Sequence, residues 1–230
     1  MTQTHTPPSP VASRPRAGAR LRARMYTVRL YVITAAEDSP ERTLEVVRAA
    51  CAGGAGAVQL RCKEDGGDAL RRLAGRCREL TAAAGVLFIV NDHLDVAMEA
   101  AADGVHLGQD DAPIARARQL WPGRLVGRST HSLAQALEAQ EQGADYLGVG
   151  PIYATPTKPG RAAVGLELVS AVAPRLRIPW VAIGGIDATS LPLVLAAGAR
   201  RVAVVRAVCA APDPAAATAG LLRAVEAAAA

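Results

Sequence analysis

From residue 28 onward, short and nearly unbroken apolar runs alternate with longer stretches that mix Ala and Leu with Glu, Gln and Arg. The runs are VRLYVIT (28–34), AVQLR (57–61), VLFIV (86–90), GVHL (104–107), RLVGRS (124–129), YLGVG (146–150), WVAIGG (180–185) and RVAVVR (201–206), eight in all. Short, β-branched and without a polar face, they predict strands covered on both sides by helices. The stretches between them predict helices over 40–51, 67–85, 92–101, 112–121, 132–143, 165–176, 187–198 and 213–230. Ser39 is placed to cap the first of these, with Pro40 at its first turn. Several end at a glycine directly before the next strand, the usual C-terminal stop.

Eight strand-then-helix units in about 200 residues are the count of a (β/α)8 TIM barrel, so the fold class is α/β, with one barrel domain over 26–230. An open doubly wound sheet is the rival, but it usually has fewer strands and a glycine-rich turn after the first. Here GGAG (53–56) precedes its strand, so it is not a dinucleotide fingerprint.

Charge changes the picture at one end only. The chain of 230 residues carries a net charge of +5, yet Arg14, Arg16, Arg20, Arg22 and Arg24 precede the first acid, Glu37. Without those five arginines the rest of the chain is neutral. Residues 1–25 therefore read as a disordered basic extension, rich in Pro and Arg and without hydrophobic period. Aromatic residues make up only 3% of the chain, too few for base-stacking platforms, which argues against nucleic acid as the partner. No apolar run approaches the roughly 18 residues of a membrane span. Cys51, Cys62, Cys77 and Cys209 show neither CxxC pairing nor metal spacing, and read as reduced thiols of a cytoplasmic protein.

In a barrel of this kind functional groups belong just after the strands, at the C-terminal rim. That position holds Arg61 and Lys63, Asn91 and Asp92, Gln109 to Asp111, Ser129 to His131, Gly184 and Gly185, and Arg206. Gln59 and Arg61 alternate with Leu60 and so point into the barrel, where a cation requires an anionic partner. Asp92 and Asp111 each have an ordinary reading as helix N-caps. Leaving adjacent strands at one rim, they also suit a hard divalent ion such as Mg²⁺, which completes its shell with water and phosphate oxygens. The loop GPIYATPTKPG (150–160) is stiffened by three prolines and carries Thr155, Thr157 and Lys158, a preorganised donor set for phosphate. Gly184 and Gly185 follow strand seven and Arg206 follows strand eight, the usual phosphate side of the barrel. His131 stays open between acid–base group and ordinary helix start, and His93 and His106 read as structural.

The motifs QLRCK, NDHLDVA, DGVHLGQDD, GRSTHS, ADYLGVGPIYATPTKPG and VAIGGI, in this order, resemble those of the thiamine phosphate synthase family, from about residue 28 to 209. The resemblance implies a Mg²⁺-dependent transferase that joins 4-amino-2-methyl-5-(diphosphooxymethyl)pyrimidine to 4-methyl-5-(2-phosphooxyethyl)thiazole. Its products would be thiamine phosphate and pyrophosphate, formed through a pyrimidine carbocation. It places Gln59, Leu60, Arg61, Cys62, Lys63, Asn91, Ser129 and Lys158 around the pyrimidine diphosphate, with Arg61, Lys63, Ser129 and Lys158 as the catalytic set. Asp92 and Asp111 would hold one Mg²⁺. Thr155, Pro156, Thr157, Gly185, Val205 and Arg206 would line the thiazole phosphate site. The partners implied are small phosphorylated substrates, and a homodimer is compatible with the family.

Three departures from the family pattern stand out. Cys62 replaces a glutamate, Arg206 replaces a serine, and Arg200–Arg201 replaces Asp-Gly before strand eight. The alternatives are a thiazole tautomerase of the same superfamily and a non-catalytic sensor of thiamine intermediates. Neither needs the full set of cations and carboxylates.

Overall fold

The computed structural model describes residues 17–62, 67–155 and 162–228. The eight runs form parallel strands β1 (Leu30–Ile33), β2 (Ala57–Leu60), β3 (Leu87–Asn91), β4 (Gly104–Leu107), β5 (Leu125–Thr130), β6 (Tyr146–Val149), β7 (Trp180–Ile183) and β8 (Val202–Val204). They pair in chain order, and β1 closes onto β8. Helices α2 (Pro40–Ala52), α3 (Asp68–Ala83), α4 (Leu94–Glu99), α5 (Ile114–Leu120), α6 (Leu133–Glu141), α7 (Gly165–Val172), α8 (Leu191–Ala196) and α10 (Pro214–Ala227) follow the strands. The (β/α)8 barrel expected from the sequence is the fold. Ser39 caps α2 by accepting from the Arg42 amide at 3.2 Å. Gly54, Gly85, Gly143 and Gly198 leave α2, α3, α6 and α8 with positive φ, which turns the chain into the next strand.

Alternation along each strand divides the core in two. Leu30, Val32, Val58, Leu60, Phe88 and Val90 point outward into the layer beneath the helices. Tyr31, Ile33, Ala57, Leu87, Ile89, Leu125, Tyr146, Val181 and Ala203 point inward. Inward neighbours alternate in size around the barrel: Tyr31, Ala57, Leu87 on β1 to β3, then Ile89, Gly104, Leu125 on β3 to β5, then His106, Gly127, Tyr146 on β4 to β6. Small residues beside large ones let an eight-strand interior fill without overlap.

The sequence reading is corrected at the N-terminal side. Residues 17–27 form α1 (Ala17–Thr27), so the expected disordered extension over 1–25 and the domain start at 26 do not hold for residues 17–25. Leu21 and Met25, four apart and therefore on one helical face, are buried with Val28 in the inward-facing cluster and close the N-terminal end of the barrel. Arg24 Nη2 donates to Gly85 O at 2.6 Å and Tyr26 Oη to Arg177 O at 3.1 Å. Arg201 Nη2 donates to Tyr26 O at 2.7 Å, so one member of the unusual arginine pair anchors α1. The last predicted strand is also shorter than expected, because Arg206–Cys209 turn into the short helix α9.

Candidate active site

A cavity of about 500 Å³ opens at the C-terminal end of the barrel. Gln59, Arg61, Asn91 and Ser129 line it from one side, and Thr155, Gly185, Val205 and Arg206 from the other. These eight sequence-predicted residues are thus brought together. Gln59 and Asn91 are buried, and Arg61 is half-buried with its amide donating to Thr34 Oγ1 at 3.0 Å. Lys63, Pro156, Thr157 and Lys158 lie outside the described residues.

Leu60 and Cys62 are not among the cavity-lining residues. Leu60 lies in the outer core and Cys62 packs against it, as the two-residue period requires when Gln59 and Arg61 face inward. A place for their side chains around a diphosphate is therefore withdrawn.

Asp92 and Asp111 are not among the residues that line this cavity; they follow the ends of adjacent strands β3 and β4. Neither caps a helix: His93 is the N-cap of α4 and Pro113 that of α5, with no side-chain cap bond at either. Asp92 is held at φ 61°, a left-handed conformation that few non-glycine residues adopt. Its amide donates to His106 O at 2.8 Å and its Oδ2 accepts from Asn91 Nδ2 at 2.5 Å. Asp111 Oδ2 accepts from the Gly108 amide at 2.5 Å, which folds the β4–α5 loop back on itself. The same loop is fixed to β5 by Arg128, whose Nη1 donates to Ala112 O and Nη2 to Gln109 O, each at 3.1 Å.

The other side of the mouth is shaped by backbone. Gly184 and Gly185 have φ of 103° and 66°, and a Cβ at Gly185 would lie 2.7 Å from Tyr153 Cβ. The segment after β6 packs on them, with the Tyr153 amide donating to Gly184 O at 3.0 Å. Asp187, at this edge of the cavity, accepts from the Thr189 and Ser190 amides at 2.9 Å. The backbone bond from Ser190 holds its carboxyl below the usual range, and the hydroxyl of Ser190 adds to this. His131, left open by the sequence, lines the cavity and donates from Nδ1 to Gly150 O, tying β5 to the start of the β6 loop.

Sequence reasoning missed the floor. His106, read as structural, lines the cavity. Its Nε2 lies 2.9 Å from Ser129 Oγ and its Nδ1 3.2 Å from Tyr146 Oη. Tyr146 Oη lies 3.1 Å from Tyr31 Oη, which accepts from Gln59 Nε2 at 2.9 Å. The only signal in the chain was the inward parity of these positions on their strands. Residues from β1, β2, β4, β5 and β6 meet only when the barrel closes.

Comparison with known proteins adds independent information. The model of a family described as thiamine monophosphate synthase matches residues 30–208. The thiamine-phosphate synthase of Gloeobacter violaceus is 52% identical over 206 residues, covering 89% of this chain and 60% of that protein. The chain thus spans about three fifths of the length of the first curated relatives it matches. The thiamine-phosphate synthase of Chloroflexus aurantiacus is 50% identical over 187 residues, 80% of this chain and 87% of the relative. Among solved structures, thiamine phosphate pyrophosphorylase from Pyrococcus furiosus superposes with a TM-score of 0.81 at 38% identity, over 90% of this chain and 98% of that one.

Proposed function

Because the chain belongs to the thiamine monophosphate synthase family, we propose that it joins 4-amino-2-methyl-5-(diphosphooxymethyl)pyrimidine to 4-methyl-5-(2-phosphooxyethyl)thiazole, releasing pyrophosphate and forming thiamine phosphate. The observation that carries this reading is the gathering of Gln59, Arg61, Asn91 and Ser129 with Thr155, Gly185, Val205 and Arg206 on one cavity. Two phosphorylated substrates that must react with each other need two anion-binding walls facing one space.

Arg61 serves as the principal described cation for the diphosphate, with Lys63 and Lys158 completing that charge. As the bond between the pyrimidine methylene carbon and the diphosphate oxygen breaks, negative charge grows on the leaving group, and preorganised donors around it lower the barrier. The electron-rich aminopyrimidine shares the positive charge left on carbon, and the thiazole nitrogen attacks that carbon with its lone pair. No protein nucleophile is required. Gly185, Val205 and Arg206 hold the thiazole phosphate, with Arg206 at the start of the short helix that follows β8.

The donor set fits a Mg²⁺ ion. Asp92 and Asp111 are hard oxygen ligands on neighbouring loops, each with one oxygen held by an N–H donor. Among the described residues no cluster of three or more His, Cys, Asp or Glu offers a metal cage. Two carboxylates plus water and phosphate oxygens are the coordination Mg²⁺ accepts, whereas a tetrahedral zinc site needs more protein ligands. When bound, the ion would neutralise diphosphate charge and orient the leaving group.

The test is an assay with both substrates and Mg²⁺, product being oxidised to its fluorescent thiochrome. Thiamine phosphate that forms with Mg²⁺ and fails to form with excess EDTA supports the reading. Absence of product from folded protein in the presence of Mg²⁺ refutes it.

A further inference from the structure

We infer that a one-way chain of hydrogen bonds holds His106 as its Nε2–H tautomer, making His106 and Tyr146 positioning residues that hold the Ser129 hydroxyl as a donor toward the cavity. The consequence for turnover rests on the activity proposed above. The tautomer does not.

Counting protons along these bonds fixes their direction. The Gln59 amide nitrogen can only donate, and Tyr31 Oη receives its bond at 2.9 Å. Burial pushes both phenols well above their ordinary range, so each tyrosine keeps one proton to give. Tyr31 is 1% exposed and Tyr146 0%, so a phenol proton without an acceptor would be costly at either. Tyr31 has accepted from Gln59, and the acceptor within reach of its proton is Tyr146 Oη at 3.1 Å. Tyr146 must then give its own proton to His106 Nδ1, at 3.2 Å. A ring nitrogen that accepts carries no proton, which places the proton of the neutral imidazole on Nε2. Nε2 donates to Ser129 Oγ at 2.9 Å. Ser129 has thereby accepted, and its own proton is left to point into the cavity that it lines. Reversing the chain requires the Gln59 amide oxygen at Tyr31, which turns every bond around and makes Ser129 donate to His106 instead.

Space as well as bonding is reserved for this chain. A Cβ at Gly127 would overlap the Tyr146 ring and His106 Nδ1, and one at Gly148 would lie 3.3 Å from His106 Cε1. The two rings lie 5.5 Å apart between those glycines. A network serving the core alone would end in the core. This one ends at both sides in residues that line the cavity, Gln59 on β2 and Ser129 on β5.

Two measurements on the full chain test it. Long-range proton–nitrogen spectra of ¹⁵N-labelled protein, without substrate, report which His106 nitrogen is protonated, with assignment by the loss of its signals in His106→Gln. The expected result is an unprotonated Nδ1 and a protonated Nε2, with the two tautomers mixing in Tyr146→Phe. A protonated Nδ1 in the unsubstituted protein overturns the inference, whether or not the protein makes thiamine phosphate. In the assay, Tyr146→Phe is expected to lower kcat/KM about tenfold alone and less than about twofold on a Ser129→Ala background. An equal loss in both backgrounds means that the phenol does not act through Ser129. Should Tyr146→Phe melt early, Tyr31→Phe enters the same cycle. A wild-type protein without turnover counts against the proposed function and leaves the tautomer to be read from the spectra.

Discussion

At the N-terminal end of the barrel, Asp103 and Asp145 are each enclosed by protein, while at the C-terminal end Gln59, Arg61, Asn91 and Ser129 border open space. Asp103 Oδ2 accepts from the Phe88 amide and from Arg78 Nη1, both at 2.9 Å. Asp145 Oδ2 accepts from the Val126 amide at 2.8 Å and pairs with Arg118. Leu21 and Met25 of α1 then seal the apolar floor. Both ends are therefore built from the same strands, but the lower one closes its two carboxylates on protein donors, whereas the upper one lines a cavity with Gln59, Arg61, Asn91 and Ser129. Stability thus resides at one end and the proposed chemistry at the other, and the chain from Gln59 to Ser129 crosses the barrel where they meet.

Substitutions should separate the ends cleanly. Arg61→Ala removes the half-buried cation of the proposed diphosphate wall. It should lower kcat/KM about a thousandfold, which is about 4 kcal/mol, while the urea midpoint stays close to that of the unsubstituted protein. Met25→Ala acts in reverse: the cavity left in the sealed floor should cost about 3 kcal/mol in urea unfolding, with KM for both substrates unchanged. A Met25→Ala protein that is equally stable but slower would merge the two ends that the comparison separates. If Asp92 and Asp111 hold Mg²⁺ as proposed, Asp111→Asn should lower turnover about a hundredfold and raise the Mg²⁺ concentration needed for half-maximal rate. If Asp111→Asn shifts only the melting temperature, its bond to the Gly108 amide is its whole role.

The smallest effect concerns the helical layer, which should be closed at every height. Burial pushes the Cys77 thiol up to about 12 and the Cys209 thiol to about 11. Folded protein near pH 8 should therefore alkylate at these two positions far more slowly than protein in urea, as peptide mass mapping would show. The sign follows from burial, which disfavours the thiolate and keeps each residue a thiol until the pH is well above neutral. Rapid labelling of Cys77 in the folded protein would mean that α3 opens readily from the barrel.

How much of this was legible in the chain depends on whether the signal was local. Strands buried on both faces must be apolar throughout, so all eight could be read directly. Rim residues were legible too, because a strand end followed by Arg, Asp or a glycine pair is a local feature. Parity placed Gln59 and Arg61 inward, and the same parity turns the side chains of Leu60 and Cys62 away from the cavity. The first helix was hidden because Leu21 and Met25 are two apolar residues among arginines and alanines, and only the barrel floor makes use of them. Tyr31, His106 and Tyr146 were hidden for a longer-range reason. They lie up to 115 residues apart, and their hydrogen bonds exist only once β1 has paired with β8.

If this cavity brings two phosphorylated substrates together and couples them, both products must appear in step. The most direct test is quantitative: supply the pyrimidine diphosphate, the thiazole phosphate and Mg²⁺, and measure thiamine phosphate and pyrophosphate in the same samples. Equal amounts of the two products are expected, both abolished by EDTA and both about a thousandfold slower with Arg61→Ala. Pyrophosphate released without thiamine phosphate, or no release at all from folded protein, would contradict that coupling.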